Sequence, residues 1–252
     1  MTRAAPHAMA ATPKAFTNYD LLKLLALLAM TLDHLGAYLY PDTPELRVIG
    51  RAAAPMFCFL VGWNRSYRSR PPLLIAAVMV SGLNFLYGAI FPLNILWVIL
   101  LGRLLMEWLD RRARPEHTAA IVLAALVWLP LAGFVLEYAT VGLLWMLWGR
   151  QQRNHPGSRA SAMYAAAAFA GAVALMQLLI PLPLLHVVAG AIVIGATTLC
   201  LQRFRLRTLP EWHLPWLMVL SRHALIYYVV HLAVMIGAAL ALGMAPLSLK
   251  LY

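Results

Sequence analysis

Charge is scarce in this chain. Asp, Glu, Lys and Arg make up 12% of its 252 residues, against 63% hydrophobic. No soluble domain of this size has that composition. Acids are scarcer still, 9 against 20 Lys and Arg, which leaves a net charge of +11. In a soluble protein such an excess would suggest nucleic acid. Here it sits in short loops, where it sorts membrane topology. The two cysteines, Cys58 and Cys200, lie in apolar segments and are expected to be buried thiols rather than a disulfide. No Cys/His cluster has metal-ligand spacing, so no metal is expected. A glycine-rich phosphate loop is missing. So are the short alternating strands of an outer-membrane barrel. Internal repeats are not evident either, which argues against a transporter built from two related halves.

What the chain has is apolar length. Runs of about 17 or more apolar residues recur throughout, the signature of an all-α, polytopic membrane protein. Nine spans are expected, near 20–40, 46–63, 71–90, 92–109, 118–135, 137–149, 161–180, 183–201 and 215–242, the sixth short enough to be tilted or re-entrant. Prolines and glycines fall mostly at the joins, as helix breakers should. Residues 1–18 are expected to form a tail and 19–252 a single transmembrane domain. The first segment is too long for a cleaved signal peptide. Basic clusters occupy alternate loops: Arg65/Arg68/Arg70, Arg111/Arg112/Arg114, Arg150/Arg153/Arg159 and Arg203/Arg205/Arg207. That alternation predicts a cytoplasmic N-terminus and a C-terminus outside.

Orientation turns sequence position into depth. At about 1.5 Å per residue, Asp33 and His34 lie roughly 20 Å from the cytoplasmic end of the first span. Ionisable groups at that depth are expensive and point to function by default. Arg51, Asn84, Asn94, Glu137 and Tyr138 are expected at the same outer level, although they come from different spans. Arg103, Arg222 and His223 belong to the inner half, and His231 is central. Bland readings exist for each: a buried Asp33–Arg51 ion pair, asparagine glue between helices, or arginines snorkelling to the interface. Adjacent helical residues point about 100° apart, so Asp33 is a poor candidate for orienting His34. Pairing Asp33 with Arg51 would leave His34 free for a substrate. His223, Tyr227 and His231 form one stripe at four-residue steps, with Tyr228 three residues from His231.

These residues also carry a resemblance. Leu32-Asp33-His34, the Gly50-Arg51 pair and the following Ala54-Pro55-Met56-Phe57 run resemble the start of the TraX family. Asn94-Ile95-Leu96 is similar to that family's fourth-helix start. The stretch from Glu137 to Leu147 resembles its tyrosine-glycine segment, and Tyr228-x-x-His231 its last helix. The likeness covers most of the chain and is most specific over 21–64. It implies an inner-membrane, multi-pass acetyltransferase that uses acetyl-CoA as donor and the N-terminal amine of a membrane-embedded pilin subunit as acceptor. Relatives with the same logic acylate surface glycans.

The chemistry expected of such a site follows. An amine attacks a thioester only when unprotonated, and an α-amine has a pKa of about 8, so a base is needed. His34 is the expected general base, with Asp33 beside it as the second catalytic residue. Arg51 and Asn94 are expected to bind substrate or stabilise the oxyanion, and Tyr228 and His231 to bind substrate. Arg103 and Arg222 are expected to hold CoA phosphates. The rivals are a proton-coupled transporter using Asp33 and His34 as a relay and a non-catalytic pilus-assembly protein.

Overall fold

The computed structural model describes residues 16–64, 70–88, 93–112, 115–138, 140–179, 183–209 and 215–244. The tail before Phe16, loop residues Arg65, Arg68 and Arg114, the expected span ends at 89–92 and 180–182, and the segment 245–252 lie outside these. The described residues are all-helical apart from turns and two isolated bridges, Thr17 with Thr208 and Leu93 with Leu136.

Helix α1 (Asn18–Tyr38) starts at a full capping box: Thr17 accepts from the Asp20 amide while the Asp20 carboxylate accepts from Thr17 N–H. That satisfies two otherwise orphaned donors. The second expected span is two helices, α2 (Pro44–Gly50) and α3 (Ala53–Trp63), with a break at Arg51-Ala52. Helices α4 (Arg70–Leu86) and α5 (Ile95–Arg112) follow. The span expected at 118–135 is likewise divided, into α6 (Pro115–Val127) and α7 (Leu129–Gly133). Then come α8 (Val141–Asn154), α9 (Arg159–Leu179) and α10 (Leu184–Gln202). The last expected span breaks at His223 into α11 (Pro215–Arg222) and α12 (Ala224–Ala241). Among the described residues, five helical stretches are long and apolar enough to cross a membrane: Asn18–Tyr38, Pro44–Trp63, Arg159–Gln177, Leu184–Gln202 and Ala224–Ala241. The apolar stretches Pro71–Leu86 and His117–Val127 are shorter.

The centre of the bundle is α8, packed on α3, α9 and α5. Its Trp145, Met146 and Trp148 are fully buried, as is Phe59 of α3. Two glycines permit this approach. A Cβ on Gly62 would overlap the Met146 carbonyl, and one on Gly149 would overlap the Phe59 carbonyl. Lipid supplies no hydrophobic drive between helices, so close backbone packing of this kind carries the association. The large apolar side chains left exposed, such as Leu28, Ile75, Leu123 and Val234, face outward as a lipid-facing surface does. Cys58 is buried as expected, but Cys200 is exposed, because its place on α10 lies on that outer face. Both are free thiols.

The C-terminal end of α8 is tied by polar bonds. Gln152 donates to the Gln202 carbonyl at 2.8 Å and accepts from Ser161 Oγ at 2.5 Å. Ser161 Oγ in turn accepts from Trp148 Nε1 at 3.1 Å. Arg150 and Arg153 both pair with Asp110 at the end of α5, at 2.5 and 3.0 Å. Arg153 also donates to the carbonyls of Gly62 and Trp63, capping α3.

Candidate active site

A cavity of about 280 Å³ runs between α1, α3, α5 and α12. Its two ends differ in chemistry. Tyr19, Lys23, Asn64, Arg103 and Arg222 line one end. These residues sit at the start of α1, the end of α3, within α5 and at the end of α11. Asp33, His34, Glu137, Tyr138 and Tyr228 line the other. Between them the wall is apolar, with Met30, Phe57, Val61 and Ile99. Lys23 and His34 are eleven residues apart on one helix, so the ends lie about 16 Å apart along its axis.

His34 is not free, contrary to the sequence expectation. Its Nδ1 meets Nε2 of His231 at 2.8 Å. The two rings are nearly parallel, 10° apart, with centroids 5.0 Å apart. That separation is about the nitrogen–nitrogen distance plus two ring radii, so the rings meet edge to edge in one plane. His231 Nδ1 lies 2.9 Å from the Tyr227 carbonyl. A carbonyl only accepts, so His231 Nδ1 must carry the proton, and a neutral His231 then accepts at Nε2. His34 must therefore donate from Nδ1, and its Nε2 keeps a lone pair. The relay fixes the tautomer of a half-buried imidazole that lines the cavity. Tyr228 is buried against both histidines, 6.0 Å from the His34 ring and 5.7 Å from His231. The expected stripe holds only in part. Tyr227 meets Thr31 Oγ1 at 2.8 Å, while His223 is exposed at the start of α12, where the helix breaks.

Asp33 is buried, and its ion pair is with Arg47 rather than Arg51. The Arg47 Nε lies 3.7 Å from Asp33 Oδ1, beyond hydrogen-bond range, and neither atom has another partner among the described residues. Gly50 explains the geometry: a Cβ there would overlap Asp33 Cβ, so only glycine lets α2 close on α1 at this level. Arg51 falls at the break after α2 and makes no ion pair with Asp33 within 4.0 Å among the described residues. It lies within electrostatic reach of Asp33, Glu137 and Tyr138. It lines a second, smaller cavity of about 50 Å³.

Asn94 is the clearest departure from expectation. It is 2% exposed and spends its side chain on structure. Its Oδ1 accepts from Leu96 N–H, and its Nδ2 donates to the Ala77 carbonyl and Ser81 Oγ. It caps α5 and holds α4, which leaves no group for a substrate. Glu137 shares that task, accepting from Ile95 N–H at 2.9 Å while its backbone N–H donates to the Leu93 carbonyl. Arg103 and Arg222 both line the cavity. Lys23 joins them, held by the Ser221 carbonyl at 3.1 Å and lying over the Tyr19 ring. Sequence reasoning missed Lys23 and Arg47 as site residues. Their only signal was a cation facing an acid across a helix turn or a short loop.

An apolar helical bundle with buried ionisable groups around an internal cavity defines a membrane protein with a built polar site. The chain belongs to the TraX family: the model described as TraX protein matches residues 18–239. Protein TraX of Escherichia coli (strain K12) is 32% identical over 132 residues, 50% of this chain and 52% of that protein. The uncharacterized protein RP591 of Rickettsia prowazekii (strain Madrid E) is 44% identical over 89 residues, 34% of this chain and 36% of that protein. The chain thus spans about half or less of the length of these curated relatives. No solved structure matches.

Proposed function

We propose that this chain is an inner-membrane acetyltransferase. It takes acetyl from cytoplasmic acetyl-CoA and passes it to an acceptor on the periplasmic side, in the first instance the N-terminal amine of a pilin subunit. The observation that carries this reading is the polarity of one cavity, with cations at one end and a tautomer-fixed histidine at the other. Lys23, Arg103 and Arg222 suit the phosphates of the donor. The nucleotide would stay at that mouth, because a cavity of this size is at the small end for whole ligands. The apolar passage suits the slender pantetheine arm, which extends far enough to bring a thioester to His34. His34 Nε2, bare in the neutral ring, takes the proton of the attacking amine. His231 is then a positioning residue rather than a substrate binder, since its own nitrogens are spent on His34 and Tyr227. Asp33 and Arg47 hold α2 against α1 behind the base.

The membrane arrangement belongs to the same proposal. Nine passages with the N-terminus inside place the cation-lined end at the cytoplasm and His34 in the outer half. Reporter fusions after Gly149 and at Tyr252 should read inside and outside respectively; both on one side would end the topology. The function is tested by incubating purified protein with labelled acetyl-CoA and membrane extracts. Label in a pilin or another amine supports the proposal. Label in a surface glycan changes the acceptor. A requirement for a proton gradient without any acyl transfer would establish the transporter instead.

A further inference from the structure

The histidine relay supplies a base but nothing for the oxyanion, and Asn94 is consumed by helix capping. Tyr138 fills that gap. It lines the main cavity beside Asp33 and His34, and also the second cavity beside Arg51. It is therefore a wall between the two. Arg51 lies behind that wall and does not line the main cavity, so its charge reaches the main site through the phenol.

Tyr138 lies between the Arg51 charge and the main cavity. A guanidinium has donors and no acceptor, so towards Arg51 the phenol oxygen can only accept. Its own O–H proton is then left to donate, in a setting shared with Asp33, Glu137 and Arg47. A phenol beside a cation is a stronger donor, because the charge polarises its O–H bond. Its placement is also costly. Tyr138 has φ of +62°, a left-handed conformation that a bulky side chain rarely adopts. A clasp of hydrogen bonds holds the residues just before it: Leu93 N–H donates to Val135 O, Glu137 N–H donates to Leu93 O, and the Glu137 carboxylate receives Ile95 N–H. Strain held by its surroundings in this way marks sites where placement matters more than stability.

We propose that Tyr138, backed by Arg51, is the hydrogen-bond donor that stabilises the oxyanion in acyl transfer. This rests on the acetyltransferase reading above. The acceptor nitrogen forms a bond to the thioester carbonyl carbon, and the carbonyl π pair moves to oxygen. Tyr138 O–H donates to that oxyanion while His34 Nε2 takes the amine proton. The oxygen pair returns, the carbon–sulfur bond breaks, and the departing thiolate takes the proton from His34. No oxidant or reductant is involved.

The test is Tyr138→Phe, which keeps the ring and the backbone constraint, assayed in detergent or vesicles with labelled acetyl-CoA and an amine acceptor. The expected result is a kcat lower by about 10²–10³-fold. KM and Kd for acetyl-CoA should stay within about twofold. Fluorotyrosine at 138 keeps the shape and makes the hydroxyl more acidic. It should retain turnover, and it serves as the readout if the phenylalanine variant does not purify. Loss of turnover with fluorotyrosine, unchanged kcat in Tyr138→Phe, or a raised KM with unchanged kcat overturns the role of Tyr138 and leaves the acetyltransferase standing. A wild-type protein that transfers no acetyl group overturns both.

Discussion

At the C-terminal end of α8, Gln152, Ser161 and Trp148 close on one another, and each of their side-chain polar groups finds a partner. At the Asp33 end of the cavity, Asp33 and Arg47 do not close: they stop 3.7 Å apart with facing atoms unbonded. Asp33 is buried like the first cluster while Arg47 is half-buried, and burying polar groups costs unless they are bonded. The first cluster is complete without a visitor and acts as a rivet between α8, α9 and α10. The second is incomplete, and it lies where a cavity gives a visitor access. Architectural polarity is satisfied internally, whereas chemical polarity is left partly open.

His34→Ala should break the comparison most severely. Acyl transfer should fall at least as far as removal of a general base demands, about 10²–10⁴-fold. Insertion and purification should stay normal, and wild-type turnover would remove His34 from the chemistry. Asp33→Ala comes next, because one partner of a buried pair is left behind; a stability loss of about 3–5 kcal/mol is expected in detergent melting. Arg47→Ala should match it more closely than Arg51→Ala does, and the reverse order would restore the Asp33–Arg51 pair. On the rivet side, Gly149→Ala forces a methyl into the Phe59 carbonyl and should cost about 1–3 kcal/mol. Any activity it loses should track the folded fraction, whereas a fall in turnover per folded molecule would link the rivet to the site. Smallest are Arg103→Ala and Arg222→Ala, each expected to weaken acetyl-CoA binding about tenfold by calorimetry, the loss of one charge-assisted bond. If both bind like wild type, the donor residues are wrong.

Helical content, the membrane class and the placing of Asp33 and His34 inside the bundle were legible in the sequence, because apolar run length and charge within it are local signals. Depth along each helix was legible too, and it grouped Asp33, His34, Glu137 and Tyr138 before any contact was known. Side-chain direction was not. Pro55 removes the helical bond to the Arg51 carbonyl and so marks the break at Arg51-Ala52, but a break in sequence does not say whether Arg47 or Arg51 is left facing Asp33. The His34–His231 bond spans 197 residues, and no periodicity carries that information. Asn94 misled because a helix-capping asparagine and a substrate-binding one look alike until the acceptor is seen.

The same 197 residues set a timetable for synthesis. Asp33 meets its counterion as soon as α2 is made, but His34 waits for α12. At about 5–20 residues per second the interval is roughly 10–40 s. Throughout it, α1 presents an unpartnered imidazole, and the Lys23 ammonium without its Ser221 carbonyl, to lipid or to the insertion machinery. A nascent chain stalled before α11 carries polar groups that the finished fold conceals. Membrane proteases and chaperones can read those groups as a mark of an unfinished product.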